Sequence, residues 1–251
     1  MLYFIGLGLN DEKDISLKGL ETLKKCGRIY AEFYTNPFRG DLKGLEKLAG
    51  KEITLLQRKD LEERSEENIL KNAIKEDVAL LVSGDPMVAT THIDLVLRAR
   101  KQGVKYGVIH SSSVYSAVGE TGLQLYKFGK TASLVYPVKN YFPASPYDIL
   151  RENRNMGLHT LLLLDVKAEE KRFMTVNEAI NLLLDIERQK KEKVFGPDLL
   201  CVGIARLGGD AKIKAGPALD LLKEDFGSPP HCLIIPGKLH FMEEEALTLF
   251  R

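Results

Sequence analysis

Residues 78–82, Val-Ala-Leu-Leu-Val, form an unbroken apolar run that stops at Ser83-Gly84-Asp85-Pro86 and passes into a helix-like segment. A strand apolar on both faces is the pattern of a strand inside a parallel sheet covered by helices. Leu2–Gly6, Arg28–Tyr34, Ile53–Leu56 and Val104–Ile109 read as further strands. Helical periodicity lies between them: at Asp14–Cys26, closed by Gly27; from Ser65 through Ile69, Leu70, Ala73 and Ile74; and at Thr91–Lys101. This alternation predicts a parallel sheet with crossover helices. Such sheets bind small molecules beyond the carboxyl ends of their strands, where the Ser83–Thr91 loop lies. Gly84 permits an unusual backbone angle, Asp85 supplies an acceptor and Pro86 stiffens the turn; the same residues also make an ordinary turn.

The second half changes texture. A proline-rich stretch at Pro137–Pro146 separates strands at Ala132–Tyr136 and Thr160–Leu164. A long charged helix, Thr175–Lys191, precedes a strand at Leu199–Ala205, a Gly208-Gly209-Asp210 turn and a strand at Lys212–Lys214. A helix at Pro217–Glu224, a strand at Cys232–Ile235 and a helix ending at Phe250 complete it. The pattern predicts two α/β domains, 1–112 and 113–251, with no internal repeat. The charge run Arg188–Lys193 reads as a solvated helix end.

With 36 Lys and Arg against 35 Asp and Glu, no global field draws nucleic acid or an anionic membrane, so any partner is recognised locally. Three widely spaced cysteines without C-x-x-C argue against a disulfide framework or structural zinc and suit a reducing cytoplasm. The opening residues carry no basic leader and no run long enough to span a bilayer, so the chain is expected to be neither exported nor anchored.

Gly6-Leu7-Gly8-Leu9-Asn10 follows the first strand and lets a ligand approach the main chain, although two glycines also make a plain tight turn. Asp11 stands where a G-x-G-x-x-G fingerprint needs its last glycine, which excludes a Rossmann dehydrogenase. Asp11, Glu12 and Asp14 crowd the helix start with negative charge, and no P-loop Lys-Ser/Thr pair follows, so a cationic or neutral ligand fits better than phosphate. The histidines His92, His110, His159, His231 and His240 never fall at ligand spacing with one another, with cysteine or with a carboxylate, and no metal is expected. No G-x-S-x-G occurs, and Ser111–Ser113 has no base nearby in sequence, so these serines read as hydrogen-bond donors rather than nucleophiles. His231 stands where backbone meets a ligand or where a buried histidine serves the core; both remain open.

Several segments together resemble the diphthine synthase branch of the tetrapyrrole methylase superfamily: residues 1–9, the Ser83–Thr91 loop, Ser113–Gly119, Gly122–Gly129 and His159–Asp165. The Gly-Asp-Pro loop indicates the superfamily. Tyr126-Lys127-Phe128-Gly129, residues 162–168 and Gly227-Ser228-Pro229-Pro230-His231 indicate the branch. The resemblance covers nearly the whole chain. It implies the class III methyltransferase fold, with S-adenosylmethionine folded into a cleft between two α/β domains, and a homodimer. Carried over residue by residue, it places cofactor contacts at Leu9, Asp85, Val88, Ser113, Val114, Leu164, Leu207 and His231. Asn10 stands where the superfamily usually has a third glycine, and Ser16 replaces its usual threonine. The first departure weakens a porphyrin-like substrate.

The implied reaction transfers methyl groups successively to the amino group of 2-(3-amino-3-carboxypropyl)histidine on elongation factor 2, giving diphthine. The compact end at Arg251 is expected of the trimethylating form rather than the ester-forming one. Such transfer needs a deprotonated amine, close approach and exclusion of water, so no catalytic side chain is assigned from sequence. Two rivals stand beside it: a corrinoid or porphyrin C-methyltransferase, and a non-catalytic module that binds adenosyl compounds.

Overall fold

The computed structural model describes residues 1–139 and 142–251, so part of the Pro137–Pro146 stretch lies outside the described residues. The chain divides into two compact units, Met1–Tyr115 and Ser116–Arg251.

The first unit is built on β1 (Leu2–Gly6), α1 (Leu17–Lys25), β2 (Arg28–Glu32), α2 (Leu42–Ala49) and β3 (Thr54–Leu56). Next, α3 (Arg58–Glu62) leads into a π-helical stretch, Glu66–Leu70, and α4 (Lys71–Ala73). Then come β4 (Val78–Val82), α5 (His92–Lys101), β5 (Tyr106–Ile109) and α6 (Val114–Ala117). The strands form one sheet in the order β3-β2-β4-β1-β5, every pair parallel. All five residues of β4 are buried, as its uniform apolarity requires of a central strand.

Two local expectations are corrected, both at the first helix. The first helix does not run through Asp14 and is not closed by Gly27. Ser16 caps it by accepting from the Gly19 amide, and Cys26 ends it in extended conformation. Gly27 instead donates to the Asp77 carbonyl, where a Cβ would stand 2.0 Å from the Glu76 carboxylate. The helical stretch does start at Ser65 as expected, with Ser65 itself in helical backbone and its side chain making no capping bond. Helix α2, absent from the sequence reading, is framed by Asp41, which accepts from the Lys43 and Gly44 amides, and by Gly50 in left-handed conformation.

The second unit comprises β6 (Ala132–Leu134), α7 (Ser145–Asn155), β7 (Thr160–Leu164), β8 (Val166–Lys167) and β9 (Arg172–Phe173). There follow α8 (Val176–Lys190), β10 (Leu200–Ala205), β11 (Lys212–Pro217), α9 (Ala218–Leu221), β12 (His231–Ile235) and α10 (Phe241–Leu247). Its sheet runs β11-β10-β12-β7-β6. All of its pairs are antiparallel except β6 with β7. Helix α7 was hidden in the proline-rich stretch: Pro146 sits in its first turn, where a missing N–H costs nothing. The predicted helix at Pro217–Glu224 is only Ala218–Leu221, because β11 extends to Pro217 and pairs with Leu200.

Helix α8 lies over this core. Thr175 and Glu178 form a reciprocal capping box at its start, and Leu182, Leu183 and Ile186 are buried. Phe226 fills the space above Gly203 of β10, where a Cβ would stand 2.4 Å from its ring. Burial of that ring contributes about 1.5–3 kcal/mol. The cysteines Cys26, Cys201 and Cys232 are buried free thiols, and burial pushes Cys26 up to about 11. No helix among the described residues is long and apolar enough to cross a membrane.

Candidate functional site

The carboxyl ends of β4, β1 and β5 lie side by side in the first sheet, and main-chain and carboxylate hydrogen bonds stitch their loops together. Beyond β1 and β4, Gly8 and Gly84 exchange backbone hydrogen bonds, the Gly84 amide to the Gly8 carbonyl at 2.7 Å and the reverse at 3.3 Å. Gly8 and Gly84 both adopt φ of +80°, which only glycine takes readily. A Cβ on Gly6 would stand 2.6 Å from the Gly84 carbonyl oxygen and 2.7 Å from Ser111 Cβ, so β1 ends in a slot between the two neighbouring loops.

Asp85 closes the arrangement. Its carboxylate is 6% exposed; Oδ1 accepts from the Met87 amide at 2.9 Å, and Oδ2 accepts from the Ser111 amide at 3.1 Å and from His110 Nδ1 at 2.8 Å. One carboxylate thereby joins the loop after β4 to the loop after β5. Val88 donates its amide to the Asp85 carbonyl within the same turn. Asp14 plays the corresponding part beyond β1, accepting from the Leu9 amide at 3.2 Å and the Asn10 amide at 2.8 Å. The acidic helix start thus holds the glycine turn rather than merely repelling anions.

Beneath the Pro86 turn lies a buried pair missed in the sequence. His92 donates Nδ1–H to the Pro86 carbonyl at 2.8 Å, and its Nε2 stands 3.5 Å from Glu32 Oε1. Glu32 also accepts from the Thr35 hydroxyl at 2.6 Å. Burial raises the Glu32 carboxyl above its usual range, against the pull of Thr35 and His92. The signal was weak: a glutamate at the end of an otherwise apolar strand.

Leu9, Asp85, Val88, Ser113 and Val114 therefore all belong to the first unit, on the turns beyond β1, β4 and β5. Ser113 is buried and Val114 opens α6. Leu164, Leu207 and His231 belong to the second unit and share one edge of its sheet. Leu164 ends β7, Leu207 follows β10, and His231 begins β12 opposite Ala205. His231 has its ring committed. Nδ1 accepts from the Val176 amide at 3.4 Å and Nε2 donates to the Ser228 carbonyl at 3.1 Å, so both ring nitrogens are occupied. Arg206, at φ +55°, supports this edge by donating to the Phe226 and Ser228 carbonyls and to Asp210.

The donor set suits an adenosyl sulfonium. The turns at 6–10, 84–91 and 110–114 carry no lysine or arginine, which a phosphate would call for. They offer main-chain groups, a buried carboxylate and the apolar Leu9 and Val88. No group of three or more metal-binding side chains occurs among the described residues.

Residues 1–217 match the family described as Tetrapyrrole (Corrin/Porphyrin) Methylases. The chain is 51% identical to the diphthine synthase of Methanocaldococcus jannaschii, over 98% of this chain and 97% of that protein. It is 50% identical to the diphthine synthase of Methanococcus aeolicus, over 98% and 96%. A crystal structure of an Entamoeba histolytica protein, provisionally assigned as diphthine synthase, superposes with a TM-score of 0.92 at 41% identity, covering 100% of this chain and 98% of that one. With likeness of this extent in sequence and in fold, the chain is a methyltransferase enzyme and belongs to the tetrapyrrole methylase family, in its diphthine synthase branch.

Proposed function

We propose that this enzyme uses S-adenosylmethionine to methylate, successively, the amino group of 2-(3-amino-3-carboxypropyl)histidine on elongation factor 2, giving diphthine for diphthamide biosynthesis. The observation that carries the reading is the Asp85 junction, a buried carboxylate locking together two strand-end loops that bear no cationic side chain. Near-half identity to named diphthine synthases over almost the full length supports the acceptor. In this reading Leu9, Asp85, Val88, Ser113 and Val114 hold the cofactor in the first unit, and Leu164, Leu207 and His231 contribute from the second. A homodimer in the cytoplasm is part of the same proposal.

When bound, the cofactor supplies an electrophilic methyl group on a sulfonium, and the electrons of the broken bond leave with sulfur. The chain's own residues bind, orient and exclude water. The loops that would do so are tied together by the Gly8–Gly84 backbone bonds and by the Asp85 carboxylate. The apolar environment of Leu9 and Val88 favours the uncharged amine over its ammonium form.

The test is incubation with labelled S-adenosylmethionine and elongation factor 2 carrying the aminocarboxypropyl histidine, read by intact and peptide mass. Three additions confined to the amine are expected. An added ester would change the product, and no addition to that histidine would overturn the reading.

A further inference from the structure

The five histidines differ in what their rings are left to do. His92 gives Nδ1–H to Pro86 and turns Nε2 toward the buried Glu32. His159 accepts at Nδ1 from the Gly237 amide and pairs through Nε2 with Glu243. His231 is bound at both nitrogens, and His240 accepts from the Met242 amide as a helix cap.

His110 stands apart. A carboxylate only accepts, so the 2.8 Å contact with Asp85 Oδ2 makes Nδ1 the donor and leaves the lone pair of the neutral ring on Nε2. That nitrogen has no hydrogen-bond partner among the described residues, and the side chain is 71% exposed. Asp85 is itself fixed by the Met87 and Ser111 amides. A base oriented by a carboxylate that is in turn oriented by main chain is the arrangement that prepares a histidine to take a proton. It stands on the turns assigned above to the cofactor.

We infer that His110 is the proton acceptor for the amine and Asp85 its positioning residue; this rests on the amine-methylation reading above. An α-amino group has a pKa of about 8, so near neutrality most of it is ammonium and has no lone pair to offer. At each transfer one N–H bond breaks. Its electron pair stays on nitrogen for the new N–C bond, and the proton passes to Nε2, giving an imidazolium that releases it to solvent before the next round. The exposed ring suits both a bulky protein acceptor and that release. Asp85, reaching in from the loop after β4, is the charged group in hydrogen-bond contact with His110, and β5 itself carries no charged side chain.

The test compares wild type with His110→Gln, His110→Ala and Asp85→Asn. His110→Gln is expected to slow single-turnover methylation about a hundredfold or more and to move the acid limb of the rate profile up to the ionisation of the amine itself, while S-adenosylhomocysteine affinity by calorimetry stays at the wild-type value. Added imidazole should restore part of the rate of His110→Ala. In the ligand-free protein, nitrogen NMR should show His110 as the Nδ1–H tautomer, and Asp85→Asn should disturb it. A rate unchanged in His110→Gln, or loss of rate matched by loss of S-adenosylhomocysteine affinity, would overturn the assignment while leaving amine methylation intact. A wild-type protein that methylates no amine would overturn both.

Discussion

Gly6 and Gly84 stand on adjacent strand ends and are glycine for different reasons. At Gly6 the obstacle is space, with the Gly84 carbonyl 2.6 Å and Ser111 Cβ 2.7 Å from where a Cβ would sit. At Gly84 nothing lies within 4 Å, and the obstacle is a φ of +80°. Gly6→Ala is expected to cost about 1–3 kcal/mol by overpacking and to weaken S-adenosylhomocysteine binding by forcing the loops apart. Gly84→Ala should cost about 1–2 kcal/mol by backbone strain alone. Replacement by Asn separates the causes in urea denaturation: Asn tolerates the left-handed conformation and should recover stability at 84, whereas its greater bulk should worsen matters at 6. Both glycines were legible as a permissive turn; which one was limited by space was not, since Ser111 arrives from a strand a hundred residues downstream.

At the scale of elements, α10 is held to β7 and to the turn around Lys127 by one buried carboxylate. Glu243 is fully buried and accepts from the Gln124 amide at 2.9 Å, the His240 amide at 2.8 Å, His159 Nε2 at 3.0 Å and the Lys127 ammonium. Burial pushes its carboxyl up, but these bonds outweigh it and hold the group down at about 2. Burial also lowers His159 below its ordinary 6.5, against the pull of Glu243. Both groups bind protons more weakly folded than unfolded. Their stabilisation is therefore complete above the unfolded values and lost as pH falls, from 6.5 downward for His159 and from 4.5 toward about 2 for Glu243. Melting temperature is expected to decline between about pH 7 and pH 5, and the decline should be shallower in His159→Gln, which has no proton to gain. Equal slopes would show that His159 keeps an ordinary affinity for protons. In the sequence, Lys127 and His159 lay in stretches that pointed to the family branch. Their shared partner, 84 residues beyond His159, carried no local mark.

For the whole molecule, binding of the proposed cofactor is expected to stabilise the fold. A ligand that binds only the native state at a hundredfold over its dissociation constant adds about 2.7 kcal/mol to unfolding. For a chain of this size that corresponds to a rise of roughly 5–10 °C in melting temperature. Calorimetric scans with S-adenosylhomocysteine should show this rise, and Asp85→Ala should remove it while folding is retained. A melting temperature indifferent to the ligand would count against the cofactor assignment.

By itself the sequence determined what local chemistry dictates. Uniform apolarity at 78–82 set a central parallel strand and Thr175 set the start of α8, whereas the first helix was read two residues too early, from Asp14 instead of the Ser16 cap. Each depends on neighbours within a few residues, where periodicity and capping act. The sequence was silent on α2 and α7, whose short apolar faces were masked by glycine and proline, and on the mostly antiparallel second sheet, since pairing direction leaves little trace in a single strand. Only the tertiary structure brought His110 to Asp85, Glu32 to His92 and Glu243 to His159. A hydrogen bond is decided within about 3 Å, and which strand ends stand that close depends on the order of strands in the sheet.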